Sequence, residues 1–158
     1  MGRIKINKGE LSMAFIVNNF DTGFGITLPS GYYKVDHINW NIPANSVLCT
    51  LRLYSSKAAA NENKNPFETE NIYYTFELSQ SNSNLINACY DSIENTLALY
   101  QTIEAAIAAY EADENNYIIH YNESGEESAR ELIPNDELYG QRFILPAGLE
   151  KLIGAVRE

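Results

Sequence analysis

Hydrophobic residues recur at every third or fourth position along one long stretch, from Asn84 to Ala112, which contains neither glycine nor proline. The apolar positions are Ile86, Cys89, Tyr90, Ile93, Leu97, Tyr100, Ile103, Ile107 and Tyr110. This spacing places them on one face of an α-helix. The polar residues of 81–84 offer candidate N-caps directly before it. The pattern therefore predicts one long amphipathic helix over residues 84–112.

Strict alternation between apolar and other residues predicts two clear strands in the first half of the chain. They cover residues 46–55 and 71–78, and their period of two is typical of strands with one buried face. Residues 56–69 lie between them and are polar and rich in turn-forming residues. We expect a long hairpin loop there, with one helical turn at Lys57–Ala60.

Shorter patterns predict further strands before residue 46. The candidate segments are 4–6, 13–17, 22–29 and 32–41. Pro29-Ser30-Gly31 has the composition of a turn and should separate the last two. Within 32–41 the apolar residues change parity, and a β-bulge near Asp36-His37 would return Ile38 and Trp40 to the core side.

The chain after residue 112 has weaker patterns. Tyr117–Tyr121 is a short strand candidate, and residues 122–138 are acidic and predict an exposed loop. Tyr139–Leu145 is interpreted as a strand that returns to the sheet, and Leu149–Val156 as a short terminal helix.

Together these elements predict a fold of the α+β class. We expect an antiparallel β-sheet or sandwich of about five to seven strands, packed against one long α-helix, with a short C-terminal helix. At 158 residues the chain is interpreted as a single domain, 1–158. Its parts are a strand-rich segment at 1–80, the helix at 84–112, and a segment at 113–158 with an acidic loop, short strands and the terminal helix.

Charge is distributed unevenly and restricts the partners. Residues 1–83 carry seven acidic and seven basic side chains, whereas 84–138 carry twelve acidic side chains and Arg130 alone as a base. Such a segment disfavours direct binding to nucleic acid or to an anionic membrane. It suits a basic partner, nucleic-acid mimicry or a solvated face.

Side chains with catalytic or metal-binding chemistry are few. The only histidines are His37 and His120, and neither has a cysteine beside it at a metal-binding spacing. Cys49 and Cys89 both lie on apolar faces, and we expect two buried free thiols rather than a disulfide or a metal site. No nucleophile motif and no phosphate-binding loop is found, so we expect no enzyme activity, no cofactor and no metal.

Two groups of residues are candidates for contact with a partner. Tyr54 and Tyr73 lie on the outward parity of their strands, where they form either a contact surface or a second core face covered by the long helix. The acids Glu104, Glu111, Asp113 and Glu114 lie toward or just beyond the C-terminal end of that helix. The helix dipole does not favour acids at this end, so we expect a partner there.

One part of the chain resembles a known group of proteins. The features that carry the resemblance are Leu51–Ala59 (LRLYSSKAA), the polar loop with Pro66, the strand Tyr73–Leu78, and Asn84 leading into a helix with Tyr90. In this order they are similar to small tail-module or virion proteins of bacteriophages, over about residues 47–94. The resemblance implies a particle component or accessory protein, made in the bacterial cytoplasm, and no catalytic residues.

The sequence therefore supports three hypotheses. The first is a non-enzymatic phage virion or tail-assembly protein that binds other virion or tail proteins, is a homo-oligomer, has no signal peptide or membrane span, and passes from the host cytoplasm into the virion. The second is an acidic DNA-mimic inhibitor of a host nucleic-acid-binding protein, with carboxylates in a row along the helix. The third is a carbohydrate-binding module, with Trp40 and either Tyr32 or Tyr73 as a stacking platform.

Overall fold

The computed structural model describes residues 13–78 and 84–158. The predicted strand at residues 4–6 and the N-cap candidates Ser81–Ser83 lie outside the described residues. Contacts divide the chain into two compact units: one contains the residues up to Asn95 together with Pro146–Glu158, and the other is Thr96–Leu145. The boundary lies within the long helix that the sequence predicts.

The first unit is built on a five-stranded antiparallel sheet. Its strands are β1 (Phe15–Asp21), β2 (Thr27–Asn41), β3 (Ser46–Tyr54), β4 (Ile72–Glu77) and, at the C-terminus, β7 (Val156–Arg157). They lie in the order β4-β3-β2-β1-β7. The strands β3 and β4 confirm the two clearest alternating segments, because all four alternate residues of β3 (Val47, Cys49, Leu51 and Leu53) are fully buried.

Short helices connect β3 to β4. The helix α1 (Lys57–Glu62) begins after Ser56, whose hydroxyl accepts the Ala59 main-chain N–H and so caps the first turn. A single 3-10 turn follows at Glu68–Glu70. The predicted helical turn is therefore confirmed, and it extends two residues beyond Ala60.

The strand β2 corrects the prediction for residues 22–31. The chain turns at Thr22–Ile26, where the Thr22 N–H donates to the carbonyl of Ile26, and it is then extended through Pro29-Ser30-Gly31. A Cβ added at Gly31 would lie 2.8 Å from Leu53 Cδ1 and 3.1 Å from Val17 Cγ2. Gly31 is therefore a site of close packing between strands and not part of a turn. Glycine inside a sheet often marks such a close approach, because it has no side chain.

The bulge predicted within β2 is present. The register between β2 and β3 shifts between Val35 and His37, so Ile38 and Trp40 pair with Cys49 and Val47 on the core side of the sheet. Trp40 is nevertheless 42% exposed, because it lies near the end of the strand.

The long helix, α2 (Leu85–Ala112), agrees with the prediction to within one residue at each end. Asn84 is the N-cap, since its Oδ1 accepts the main-chain N–H of Asn87. In the first unit Ala88, Cys89, Tyr90 and Ile93 are buried. The Tyr90 ring packs on Phe15 with centroids 5.3 Å apart, so this part of α2 covers the β1–β4 face that carries Cys49.

The second unit combines the rest of α2 with a two-stranded antiparallel sheet, β5 (Tyr117–Tyr121) and β6 (Glu127–Leu132), and a short helix α3 (Asp136–Tyr139). The prediction of a loop over 122–138 is wrong for residues 127–132, which form the strand β6. All residues of β6 except Leu132 are exposed, so the sequence shows no alternation of apolar residues there. The predicted strand Tyr139–Leu145 is absent, and Phe143 instead packs edge-on against Tyr100 in α2.

The C-terminal segment returns to the first unit. Its short helix is a single 3-10 turn, Leu149–Leu152, with both end residues buried. Val156, the last residue of the predicted helix, instead begins β7, which pairs with β1. The predicted α+β class, an antiparallel sheet with one long helix and a short C-terminal helix, is confirmed.

Candidate interaction site

The two tyrosines predicted as contacts on the sheet have different environments. Tyr54 is only 1% exposed and packs with Ala14 and Ala60, so it does not face a partner. Burial, and then its hydrogen bond to the Asp36 carboxylate, raise the pKa of Tyr54 above its ordinary value. Tyr54 is therefore a core residue and not part of a contact surface. The residues that cover it are Ala14 and Ala60 of α1, and not the long helix as predicted.

Tyr73 is available on the surface. Its side chain is 62% exposed, and its hydroxyl lies 3.4 Å from the Asn71 amide nitrogen. Tyr73 pairs with Thr50, whereas Trp40 pairs with Val47, and these two positions of β3 have opposite parity. Successive parities point to opposite faces of a sheet, so Trp40 and Tyr73 form no joint stacking platform.

Tyr32 fails as the other half of that platform for the same reason. It pairs with Tyr54 and packs against the buried cluster that Tyr54 forms with Ala14 and Ala60. This places Tyr32 on the face opposite to Trp40. The register thus removes the geometry that the carbohydrate-binding hypothesis needs.

Negative charge is concentrated in the second unit. Residues 96–145 hold ten acidic side chains against Arg130 and Arg142, a net charge of −8, which leaves −2 of the total −10 for the remaining residues. Both arginines are already in ion pairs. Arg142 binds Glu104 through two hydrogen bonds of 2.8 Å, and Arg130 binds Glu127 and lies 3.7 Å from Glu114.

The four acids predicted as partner contacts all lie in this unit, with different surroundings. Glu104 is held by Arg142, which lowers the pKa of its carboxyl. Glu111 accepts the Tyr139 hydroxyl at 2.7 Å, a hydrogen bond that raises the pKa of Tyr139 to about 12. Asp113 accepts the Asn115 N–H at the start of a 3-10 turn. Glu114 has 78% of its side chain exposed and lies 3.7 Å from Arg130.

Exposed apolar side chains accompany this charge, and the sequence patterns do not single them out. In the β5–β6 hairpin Ile118 is 48% and Tyr121 65% exposed. Each strand pairs only with the other among the described residues, so each retains one open backbone edge. The sequence carries a partial signal for β5 in its β-branched and aromatic residues, and none for β6.

The carboxylates of the helix do not form the uncompensated row that DNA mimicry favours. The five acids expected in that row are Asp91, Glu94, Glu104, Glu111 and Glu114. Arg157 lies 2.6 Å from Asp91 and 3.2 Å from Glu94 in the first unit, and Arg142 compensates Glu104 in the second. Because Glu114 also lies 3.7 Å from Arg130, four of the five charges are paired with an arginine within the chain.

The described residues form a groove, but they bring no metal-binding cluster together. A groove of about 330 Å³ lies beside β1, between Val17–Asp21 and the turn Lys151–Ala155. The Lys151 ammonium on its wall is bound to Glu70 at 3.1 Å. Within 13–78 and 84–158, no group of three His, Cys, Asp or Glu side chains is arranged to hold a metal ion.

The two cysteines, Cys49 and Cys89, are free and buried. The sequence predicts this burial from their positions on apolar faces. No helix in the described part of the chain is long and apolar enough to cross a membrane. Comparison of the chain with models of protein families, with curated proteins and with solved structures finds no match.

Proposed function

We propose that this protein is a non-enzymatic structural or assembly component of a bacteriophage particle, and that it binds other particle proteins through its second unit. One observation carries the proposal. Residues 96–145 have a net charge of −8 with both arginines paired, and the hairpin in the same unit exposes Ile118 and Tyr121.

This combination suits a protein interface better than a solvated surface. Interfaces place apolar and aromatic side chains at the centre and charged ones at the rim. Exposed acids such as Glu114 would attract and orient a partner with a basic surface. The open edges of β5 and β6 also allow pairing with a strand of that partner.

The assignment to a phage particle rests on the resemblance of residues 47–94 to small tail-module and virion proteins. Under this proposal the chain is made in the bacterial cytoplasm, associates with copies of itself and with neighbouring tail or virion proteins, and enters the particle. The first unit acts as the rigid support, because its sheet and the start of α2 bury a continuous core.

The test co-expresses the full chain with the particle proteins encoded by neighbouring genes and measures which of them co-purify. The variant E114Q/E131Q removes two exposed charges from the second unit. The matched control E68Q/E77Q removes two exposed charges from the first unit. We expect the first variant to weaken association about tenfold, since each lost rim charge is worth up to about 1 kcal/mol, and the control to bind normally.

Salt dependence provides a second measurement. Association through an acidic surface should weaken between low and high ionic strength, because exposed charges are screened within roughly 10 Å at 0.1 M salt. A strictly monomeric protein at high concentration that also fails to bind every neighbouring particle protein would refute the proposal. Equal weakening by the two double variants would refute the role of the second unit.

A further inference from the structure

Arg52, in β3, is the one base in the described part of the chain that has no acid as a partner. Every other lysine and arginine there is in an ion pair. The Nε of the Arg52 guanidinium is buried, and no hydrogen-bond partner for it is found among the described residues. Buried polar groups are normally hydrogen-bonded, so the first unit holds a cation whose binding capacity is unused.

A second cation lies beside Arg52 without relieving this. Lys34 of β2 is directly opposite Arg52 in the sheet, and like charges in this arrangement repel each other. The Lys34 ammonium donates to the carbonyl of Ala60 at 3.0 Å and to Asn63 Oδ1 at 2.6 Å. It also lies 3.6 Å from the Asp36 carboxylate. Asp36 therefore compensates Lys34, and the charge of Arg52 remains uncompensated.

The side chain of Arg52 belongs to an accessible face of the sheet. Its parity in β3 is opposite to that of Cys49, so it lies on the face that the start of α2 does not cover. Thr50 shares the face of Arg52 and pairs with Tyr73 of β4, which is 62% exposed. The Asn71 amide nitrogen lies 3.4 Å from the Tyr73 hydroxyl, and Asn71 Oδ1 is a second buried atom without a partner among the described residues.

We propose that Arg52 and Tyr73 form a docking site for the acidic second unit of another copy of this chain. Arg52 binds a carboxylate of that unit through two parallel hydrogen bonds, the geometry for which a guanidinium is suited. Tyr73 supplies the aromatic contact beside it, and arginine and tyrosine are the residue types that most often dominate protein interfaces.

Charge complementarity selects this partner. The second unit has a net charge of −8, and its two arginines are already paired with acids of the same unit. It therefore offers carboxylates such as that of Glu114, whose side chain is 78% exposed, and it has no free arginine that would repel Arg52. The docking site offers the matching positive charge on an otherwise acidic protein.

The two surfaces belong to different units, so the contact between copies is heterologous. Each copy has one docking site and one acidic unit, and a contact of this type repeats from copy to copy into a ring or an open filament. This inference rests on the part of the proposed function that makes the second unit a binding surface. It adds the surface to which that unit binds.

The first experiment measures the mass of the full chain by light scattering over a range of concentrations. We expect the unmodified chain to pass from monomer to dimer and larger species. Arg52→Met removes the charge and should weaken self-association by about tenfold or more. The matched control is Lys64→Met, which also removes one positive charge from the first unit, at a side chain that is 68% exposed. It should self-associate normally.

Mixing two variants tests which surfaces meet. Arg52→Met retains the acidic unit, whereas E114Q/E131Q retains the docking site. At concentrations where each variant alone is monomeric, we expect the equimolar mixture to form a one-to-one heterodimer and no larger species. Formation of the heterodimer also shows that both variants are folded.

The docking site is refuted if the unmodified chain stays monomeric, if Arg52→Met and Lys64→Met self-associate equally, or if the mixed variants do not pair. If Arg52→Met instead loses a different particle protein in co-purification, a second copy is the wrong occupant. A monomeric chain that still co-purifies with particle proteins would refute the docking site and leave the proposed function standing. Self-association that depends on Arg52, without co-purification of any particle protein, would support the docking site and count against the particle role.

Discussion

The hydroxyl of Tyr90 lies 2.9 Å from the main-chain nitrogen of Val35, at the point where the register of β2 shifts. The N–H of Val35 donates this hydrogen bond, and the same hydroxyl donates to the carbonyl of Met13 at 3.0 Å. Burial raises the pKa of Tyr90 to about 12, so its proton is retained at physiological pH. One side chain of α2 thus satisfies main-chain groups in β2 and directly before β1.

Replacing Tyr90 with phenylalanine tests the energetic value of this contact. The ring would still pack on Phe15, but the N–H of Val35 and the carbonyl of Met13 would lose their partner. A buried polar group without a partner costs about 1–3 kcal/mol, and we expect a loss of this size in the free energy of unfolding measured with urea.

The matched control for this prediction is Tyr100→Phe. Tyr100 is half-buried in the second unit and has a ring contact with Phe143, while no hydrogen bond of its hydroxyl is found among the described residues. Tyr100→Phe should therefore be nearly neutral. Similar stabilities for the two variants would show that the Tyr90 hydroxyl contributes little.

The carboxylate of Glu70 links three separate segments of the first unit. It accepts the N–H of Gly23 at 2.8 Å and binds the Lys151 ammonium at 3.1 Å, while only 7% of the residue is exposed. Burial by itself would raise the pKa of Glu70. The hydrogen bonds from Gly23 and Lys151 outweigh burial and hold the pKa below its ordinary value of 4.5.

This pKa predicts how stability depends on pH. Because the folded-state pKa of Glu70 is depressed, its contribution is complete above the unfolded pKa of about 4.5 and is lost as the pH falls through the lower folded value. In Lys151→Met the pKa of Glu70 should rise, so we expect acid unfolding at a higher pH and a loss of about 1–3 kcal/mol at neutral pH. Circular dichroism during acid titration measures both effects.

Lys64→Met serves as the control for that titration. Lys64 and Glu62 also form a close pair, at 2.7 Å, but their side chains are 68% and 57% exposed. Exposed pairs contribute little to stability, so the acid-unfolding curve should not move. A curve for Lys151→Met that coincides with the one for Lys64→Met would contradict the role given to Glu70.

Elements with a strong hydrophobic period could be predicted from the sequence. The start and end of α2 and the apolar face of β3 follow from spacing alone, because the apolar residues of each recur with the period of that element. The exception on the helix is Ile86, which fits the stripe but is 48% exposed, since it lies within the first two residues of the helix.

The missed features depend on tertiary packing. Pro29-Ser30-Gly31 has the composition of a turn, but packing of Val17 and Leu53 around Gly31 makes it part of β2. The strand β6 has almost no buried side, so no alternation reveals it. For the candidate site, the acidity of the second unit can be predicted from the sequence, whereas the pairing of Arg142 with Glu104 over 38 positions cannot.

Gly148 is a position where an alanine substitution should be costly. Its φ is +91°, and an added Cβ would lie 3.0 Å from Ile72 Cγ2. The control, Gly154→Ala, has a similar φ of +80° with no atom within 4 Å of the added Cβ. Backbone strain alone costs about 1–3 kcal/mol, and we expect Gly148→Ala to exceed its control by a further 1 kcal/mol or so in urea unfolding. Equal losses would mean that Ile72 can move aside.

Asn84 provides the last prediction, because it caps the element that both units share. Its Oδ1 accepts the N–H of Asn87 at 3.1 Å, and replacing such an N-cap with alanine typically costs about 1 kcal/mol. We expect this loss for Asn84→Ala in urea unfolding followed by helical circular dichroism. Asn95→Ala is the control at an exposed position inside the same helix, where alanine is the better helix former by a few tenths of a kcal/mol. If Asn84→Ala is as stable as Asn95→Ala, then the Asn84 side chain does not cap the helix in solution.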